Sequence, residues 1–219
     1  MTSLIQPEFP NRDCDLCPRL KSFRDEQRLK YPDWHNAPVK SFGGLDAEFL
    51  IVGLAPGLRG ANCTGRPFTG DWAGDLLYAT LDKFGFSQGR YNQTPDDGLK
   101  LINCRIANAV RCVPPENKPI GSEMKACLPF LEYEIAAMPN LKAILSLGLI
   151  SHNNVLKAFG LKQSAAKFSH RAVFDLKNGI SLFDSYHCSR YNTNTKRLTE
   201  AMFHDVFQDI HDHLANLAV

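Results

Sequence analysis

Glu48–Gly53 reads EFLIVG and runs straight into Gly53–Gly74, GLAPGLRGANCTGRPFTGDWAG. A short apolar run closed by glycine predicts a strand buried on both faces. The stretch after it carries six glycines and two prolines in 22 residues, which predicts a loop. From Asp75 to Gly85 apolar residues return at helical spacing, with Leu76, Leu77, Thr80, Leu81 and Phe84 on one face. Asp75 is the better expected cap for that helix, ahead of Asp71. Strand, glycine-rich loop and helix in succession form an arrangement that binds ligands.

The same alternation continues outward. Leu101–Val110 predicts a strand, Gly121–Met138 a helix, Ala143–Leu147 a strand and His152–Phe159 a helix. Val173–Leu176 and Ile180–Ser185 predict paired strands around Lys177-Asn178-Gly179, and Leu198–Leu217 predicts a closing helix. Such alternation implies an α/β fold with a mostly parallel sheet between helical layers. Residues 1–46 are rich in Pro, Asn, Asp and Gly, with one helix expected from Pro18 to Leu29, and read as an extension leading into a single domain over 1–219. Ligands of such folds sit at the carboxyl ends of the strands, so the loops 54–74, 111–120 and 187–197 are where a site is expected.

Composition narrows the class without deciding it. The 219 residues are 44% hydrophobic and 22% charged, which are globular proportions. No run of about 18 apolar residues occurs, and the first residues lack the order of a secretory signal, so a cytoplasmic protein is expected, with no membrane partner. A net charge of +2 suits a phosphate-binding surface and does not demand one.

Seven cysteines in a reducing compartment point to metal ligation or free thiols more than to disulfides. Cys14 and Cys17 form a CxxC pair, and Cys112 and Cys127 follow with 14 residues between them. Four thiolates suit zinc or an iron–sulfur cluster. The lack of a second CxxC lowers zinc and raises a cluster whose ligands come from distant segments, with Cys63, Cys104 and Cys188 left over. Such a group would order the 112–127 loop.

Three stretches carry a family resemblance: GLAPGLRGANCTGRPFTGDWAG (53–74), NAVRCVPPENKP (108–119) with Cys127 beyond it, and HCS followed by RLT (187–199). Together they resemble the family 5, or type b, uracil-DNA glycosylases. The resemblance implies a four-stranded parallel sheet between helices, and a [4Fe–4S] cluster on Cys14, Cys17, Cys112 and Cys127. It further implies hydrolysis of the N-glycosidic bond of deoxyuridine in DNA, with hypoxanthine and xanthine as further substrates of the family. A monomer acting at the nucleoid is expected. One departure is that the family's third motif usually reads His-Pro-Ser where this chain has His187-Cys188-Ser189, which frees a backbone dihedral beside His187.

Such chemistry needs the base turned out of the helix into a pocket. Phe68 is the expected stacking ring, with Ala55, Gly57 and Asn108 as further base-binding residues. Other glycosylase families hold the attacking water with an Asp or Asn in the first motif; here Ala55 can neither hold that water nor stabilise the departing anion. The resemblance assigns catalytic importance to Asp71 and Asn117, to hold water and support the sugar cation, and to His187, to donate to the departing base. Arg59, Arg66, Lys118, Ser189, Arg190 and Arg197, with Lys196, are expected at DNA phosphates. Two rival readings are a non-catalytic iron–sulfur protein that binds damaged DNA, and an electron carrier.

Overall fold

The computed structural model describes residues 9–217; the outermost residues of the expected 1–219 unit, with the first eight residues of the extension, lie outside them. In chain order the elements are α1 (Pro18–Lys30), β1 (Phe49–Gly53), α2 (Ala61–Thr64), α3 (Trp72–Lys83), β2 (Ser87–Gln88), β3 (Lys100–Leu101) and β4 (Cys104–Asn108). There follow α4 (Gly121–Ala136), β5 (Ala143–Leu147), α5 (Leu149–Ala158), β6 (Val173–Asp175), β7 (Ser181–Ser185), α6 (Arg190–Asn194) and α7 (Glu200–Leu217).

The main sheet runs β4-β1-β5-β7-β6. Its first four strands are parallel, as expected, and β6 adds a fifth, antiparallel edge through the turn at Asn178. The expected count of four strands is therefore corrected to five. The predicted strand over Leu101–Val110 is divided, because Asn103 takes a left-handed φ of 50° between β3 and β4. β3 instead joins β2 in a separate antiparallel pair.

β1 explains the layers. All five of its residues are buried, and alternate side chains enter opposite cores. Phe49 and Ile51 pack with α3 and α7, through Leu77, Leu81, Phe203 and Phe207. Leu50 and Val52 pack on the other side with Leu131 of α4 and with Val155 and Leu156 of α5. α7 carries Phe203, Val206, Phe207 and Ile210 on its buried face, the spacing that makes it amphipathic.

Helix starts follow local chemistry rather than apolar spacing alone. α3 begins at Trp72 because Asp71, not the expected Asp75, is its cap: the Asp71 side chain accepts from the Gly74 amide at 3.1 Å. α5 begins at Leu149, three residues before the expected His152, because Gly148 turns the chain at φ 96° directly after β5.

The extension is stitched to the sheet's loops. Arg19 forms a two-pronged pair with Glu123 at 2.7 and 2.8 Å and also donates to the Lys118 carbonyl. Asn36, buried at φ 43°, accepts from Asn62 and donates its own backbone amide to the Asn62 carbonyl. The Val39 amide donates to the Arg111 carbonyl at 2.8 Å.

Phe207 meets the rings of Phe49, Phe84, Phe86 and Phe203 at centroid distances of 5.0 to 6.4 Å. Phe207→Ala should cost about 3–5 kcal/mol of stability, read as a lowered denaturant midpoint with an unchanged slope.

Candidate active site

Parallel pairing places Gly53 of β1 beside Asn108 of β4 at the carboxyl edge of the sheet. A cavity of about 540 Å³ opens there. Ala55, Gly57, Arg59, Phe68, Asp71, Asn108, Asn117, His187, Ser189 and Arg190 all line it, drawn from the three loops.

Missing side chains shape the floor. A Cβ on Gly53 would stand 2.4 Å from Asn108 Oδ1 and 2.7 Å from Phe68 Cζ, so only glycine lets these two groups meet. Asn108 is 3% exposed, yet its Oδ1 finds no partner within the protein. A buried amide oxygen left unpaired is costly, and one that lines a cavity is ready for a ligand's donor. Phe68 is held at a left-handed φ of 51°, a strained position for an aromatic residue.

That strain is borne by a scaffold beneath the loop. Tyr78 donates to the Pro67 carbonyl at 2.7 Å and Tyr91 to the Phe68 carbonyl at 3.1 Å. Arg66 pairs with Asp97 through both terminal guanidinium nitrogens, at 2.7 and 2.8 Å, and lies against the rings of Phe42, Tyr78 and Tyr91. This arginine is 6% exposed and the side chain of its partner is covered from solvent, and the bond to Arg66 holds the Asp97 carboxyl far below its ordinary range. The expected phosphate role of Arg66 is thereby corrected: its charge is spent inside the protein.

Asp71 faces two ways. Oδ1 caps α3, while Oδ2 rests against Gly57 and Gly60, where a Cβ would lie 3.1 and 2.3 Å away. Burial raises its pKa, opposed by the amides of Gly74 and Ala73. Across the cavity His187 lies 5.9 Å from the Phe68 ring with 28° between the planes. Burial pushes the imidazole down to about 4, and Nδ1 has no partner within the protein. His187 is thus a neutral ring that can donate from one nitrogen.

The loop beside it is held without the family's proline. Cys188 is fully buried and its thiol donates to the Ala73 carbonyl at 3.5 Å, while Asn192 donates to the His187 carbonyl at 2.8 Å. Ser189 caps α6. Asn117 reaches the rim from a tight turn in which both it and Glu116 are left-handed, at φ 56° and 54°. Lys118 points to solvent beside Glu116, and Arg197 lies over the Tyr186 ring; neither lines the cavity. Trp72, Leu54 and Leu58 do line it and were not anticipated, since a residue of a predicted loop gives no spacing signal.

Cys17, Cys112 and Cys127 share one buried cluster with Leu20, Val110 and Phe130, and Ala55 packs on its edge. Among the described residues no group of three or more His, Cys, Asp or Glu is arranged to hold a metal ion as it stands. The neighbouring charge is telling. Arg24 is 1% exposed, donates to Cys112 Sγ at 3.5 Å and to the Cys14 carbonyl at 2.8 Å, and leaves Nε without a partner. Among the described residues no carboxylate lies in salt-bridge reach of it. A buried cation requires an anion; burial keeps the neighbouring Cys17 and Cys112 protonated as they stand, and a bound metal group would turn them into the thiolates that Arg24 calls for. The donor set therefore fits a thiolate-bound, anionic group.

No helix among the described residues is long and apolar enough to cross a membrane. The fold and cavity define an α/β protein with a hollow of about 540 Å³ at the carboxyl edge of its sheet. The uracil DNA glycosylase superfamily matches residues 40–211. The type-5 uracil-DNA glycosylase of Thermus thermophilus is 41% identical over 90% of this chain and 91% of its own. That of Mycobacterium leprae is 40% identical over 90% of this chain and 89% of its own. A type-4 enzyme of Pyrobaculum aerophilum is 31% identical over 68% and 62%. The chain belongs to the uracil-DNA glycosylase superfamily, in its type-5 family.

Two measurements check this geometry. Arg66→Ala should lower stability by about 3–5 kcal/mol because it strands a buried carboxylate, read as a lower denaturant midpoint; a phosphate contact would lower DNA affinity alone. Imidazole NMR should find His187 neutral from pH 8 to 5 and titrating near 4, against 6.5 for a free ring. Because the unfolded chain takes up that proton first, the stability due to His187 is complete above pH 6.5 and is lost as pH falls toward 4.

Proposed function

We propose that the protein excises uracil from DNA by hydrolysing its N-glycosidic bond, leaving an abasic site, and that hypoxanthine and xanthine are further substrates. The observation that carries this reading is the unpartnered, buried Asn108 amide at the floor of a hollow whose walls are Phe68, Asp71 and His187.

In this reading the extruded base stacks on Phe68, and the Asn108 amide meets its edge, accepting at Oδ1 and donating at Nδ2. The bond from C1′ to the base breaks with its electron pair leaving on the base. Neutral His187 donates a hydrogen bond to the carbonyl oxygen where that charge gathers. Asp71, opposite, supports the sugar cation and orients the water that adds to C1′; the proton that water loses passes by way of the Asp71 carboxylate to solvent, from which the released base anion takes one up, and Asn117 holds the water from the rim. Ala55 and Gly57 keep the loop thin enough for the sugar to approach. Arg59, Ser189 and Arg190 meet the flanking phosphates, with Lys118 and Arg197 farther out.

Cys14, Cys17, Cys112 and Cys127 would hold a [4Fe–4S] cluster, with Arg24 as its buried counter-charge; when bound it supplies a rigid tether between extension and loop. The whole chain, 1–219, then acts as one monomeric unit with residues 1–46 as its cluster-bearing extension, working in the cytoplasm at the nucleoid.

Incubation with oligonucleotides carrying uracil, hypoxanthine or xanthine, followed by alkali, should cleave at the modified base. Retained binding without cleavage would leave a damage-binding protein instead. Asp71→Asn should lower the single-turnover rate by roughly 10²–10⁴ and His187→Ala by about 10²–10³, each without loss of the cluster's visible absorbance. Purified protein should contain iron and acid-labile sulfide, and Cys112→Ser should lose both together with thermal stability.

A further inference from the structure

We propose that Trp72 and Arg190 form a stacking shelf at the mouth of the hollow, which receives the nucleobase adjoining the extruded nucleotide on the same strand. The proposal rests on the excision reading above and adds to it a preference for single-stranded or frayed DNA.

Trp72 is the first residue of α3, directly after Asp71, and lines the cavity wall. The residue is 49% exposed. A large aromatic ring left half in water forgoes burial that the fold could have used. It is nevertheless fixed: the indole nitrogen donates to Thr193 Oγ1 at 2.9 Å, and the Arg190 guanidinium stands 5.5 Å from the ring centroid. Both partners belong to α6, across the mouth from α3, so the ring is held at the point where the two loops meet. A ring already fixed in place loses little freedom when a second ring stacks on it.

The occupant follows from continuity with the hollow. A nucleotide turned into the cavity leaves its neighbour in the chain at the mouth, where a π-face and a guanidinium wait together. Every base has such a face, so the shelf tolerates any sequence. Arg190 lines the cavity as well as the indole, which sets its charge toward the phosphate joining the two nucleotides. In an intact duplex that neighbour is paired and stacked, and leaving its partners is unfavourable. In a single strand it is free to move onto the indole.

The chain has two tryptophans, Trp34 and Trp72. A Trp34→Phe parent therefore reports on Trp72 alone, the new ring still lying on Tyr31. A single strand with a tetrahydrofuran abasic analogue at its centre should quench this fluorescence on binding. Trp72→Ala should weaken that binding about 5- to 100-fold, Trp72→Phe should keep most of it, and duplex binding should fall less. A strand whose nucleotides on both sides of the analogue are themselves abasic should be indifferent to Trp72→Ala. Absence of quenching, or an equal loss on all three DNAs, overturns the shelf. Uracil excision by the parent is measured alongside: its absence counts against the excision reading, whereas normal excision with no selective loss in Trp72→Ala counts against the shelf alone.

Discussion

Parallel strand pairing is the constraint on which the molecule depends. β4, β1, β5 and β7 run the same way and are covered on both faces, so the loops that leave them emerge at one edge. No long-range steering is needed to bring Phe68, Asn108 and His187 together; the sheet delivers them. What remains for local chemistry is to set the height and tilt of each loop. Gly53, Gly57 and Gly60 do so by leaving space, and Tyr78, Tyr91 and Arg66 by holding carbonyls and charge from below.

The extension completes the edge rather than trailing from it. Asn36 grips the first loop through Asn62, while Arg19 and Val39 grip the second. Ala55 lines the cavity and also packs against the cysteine cluster. Loss of order around Cys14 and Cys17 would therefore be felt at the glycine-rich loop through direct contacts.

Much of this was legible in the chain. EFLIVG declared its double burial by lacking polar alternation, α7 by its spacing, and the β6–β7 turn by Asn178-Gly179. The three loops and their polar residues could be placed at one edge from strand order alone. Other features were not readable because they depend on what lies opposite in space. Nothing near Arg66 in sequence says that Asp97 will meet it, 31 positions on. On paper Asp75 reads as the better cap, and the choice fell to Asp71 because the backbone turns before Trp72. The proline missing at Cys188 suggested a looser loop, yet a buried thiol and an asparagine amide supply the anchoring.

The inward turn of Arg66 has a thermodynamic consequence for any polyanion that meets this surface. Each phosphate neutralised on duplex DNA sheds about 0.9 of a condensed counterion. An arginine already neutralised by Asp97 sheds none, so the ionic-strength slope of binding is about one unit shallower than a count of basic side chains in the loop would imply. The sodium ions displaced, rather than the arginines present, register how much of the protein's charge actually faces the helix.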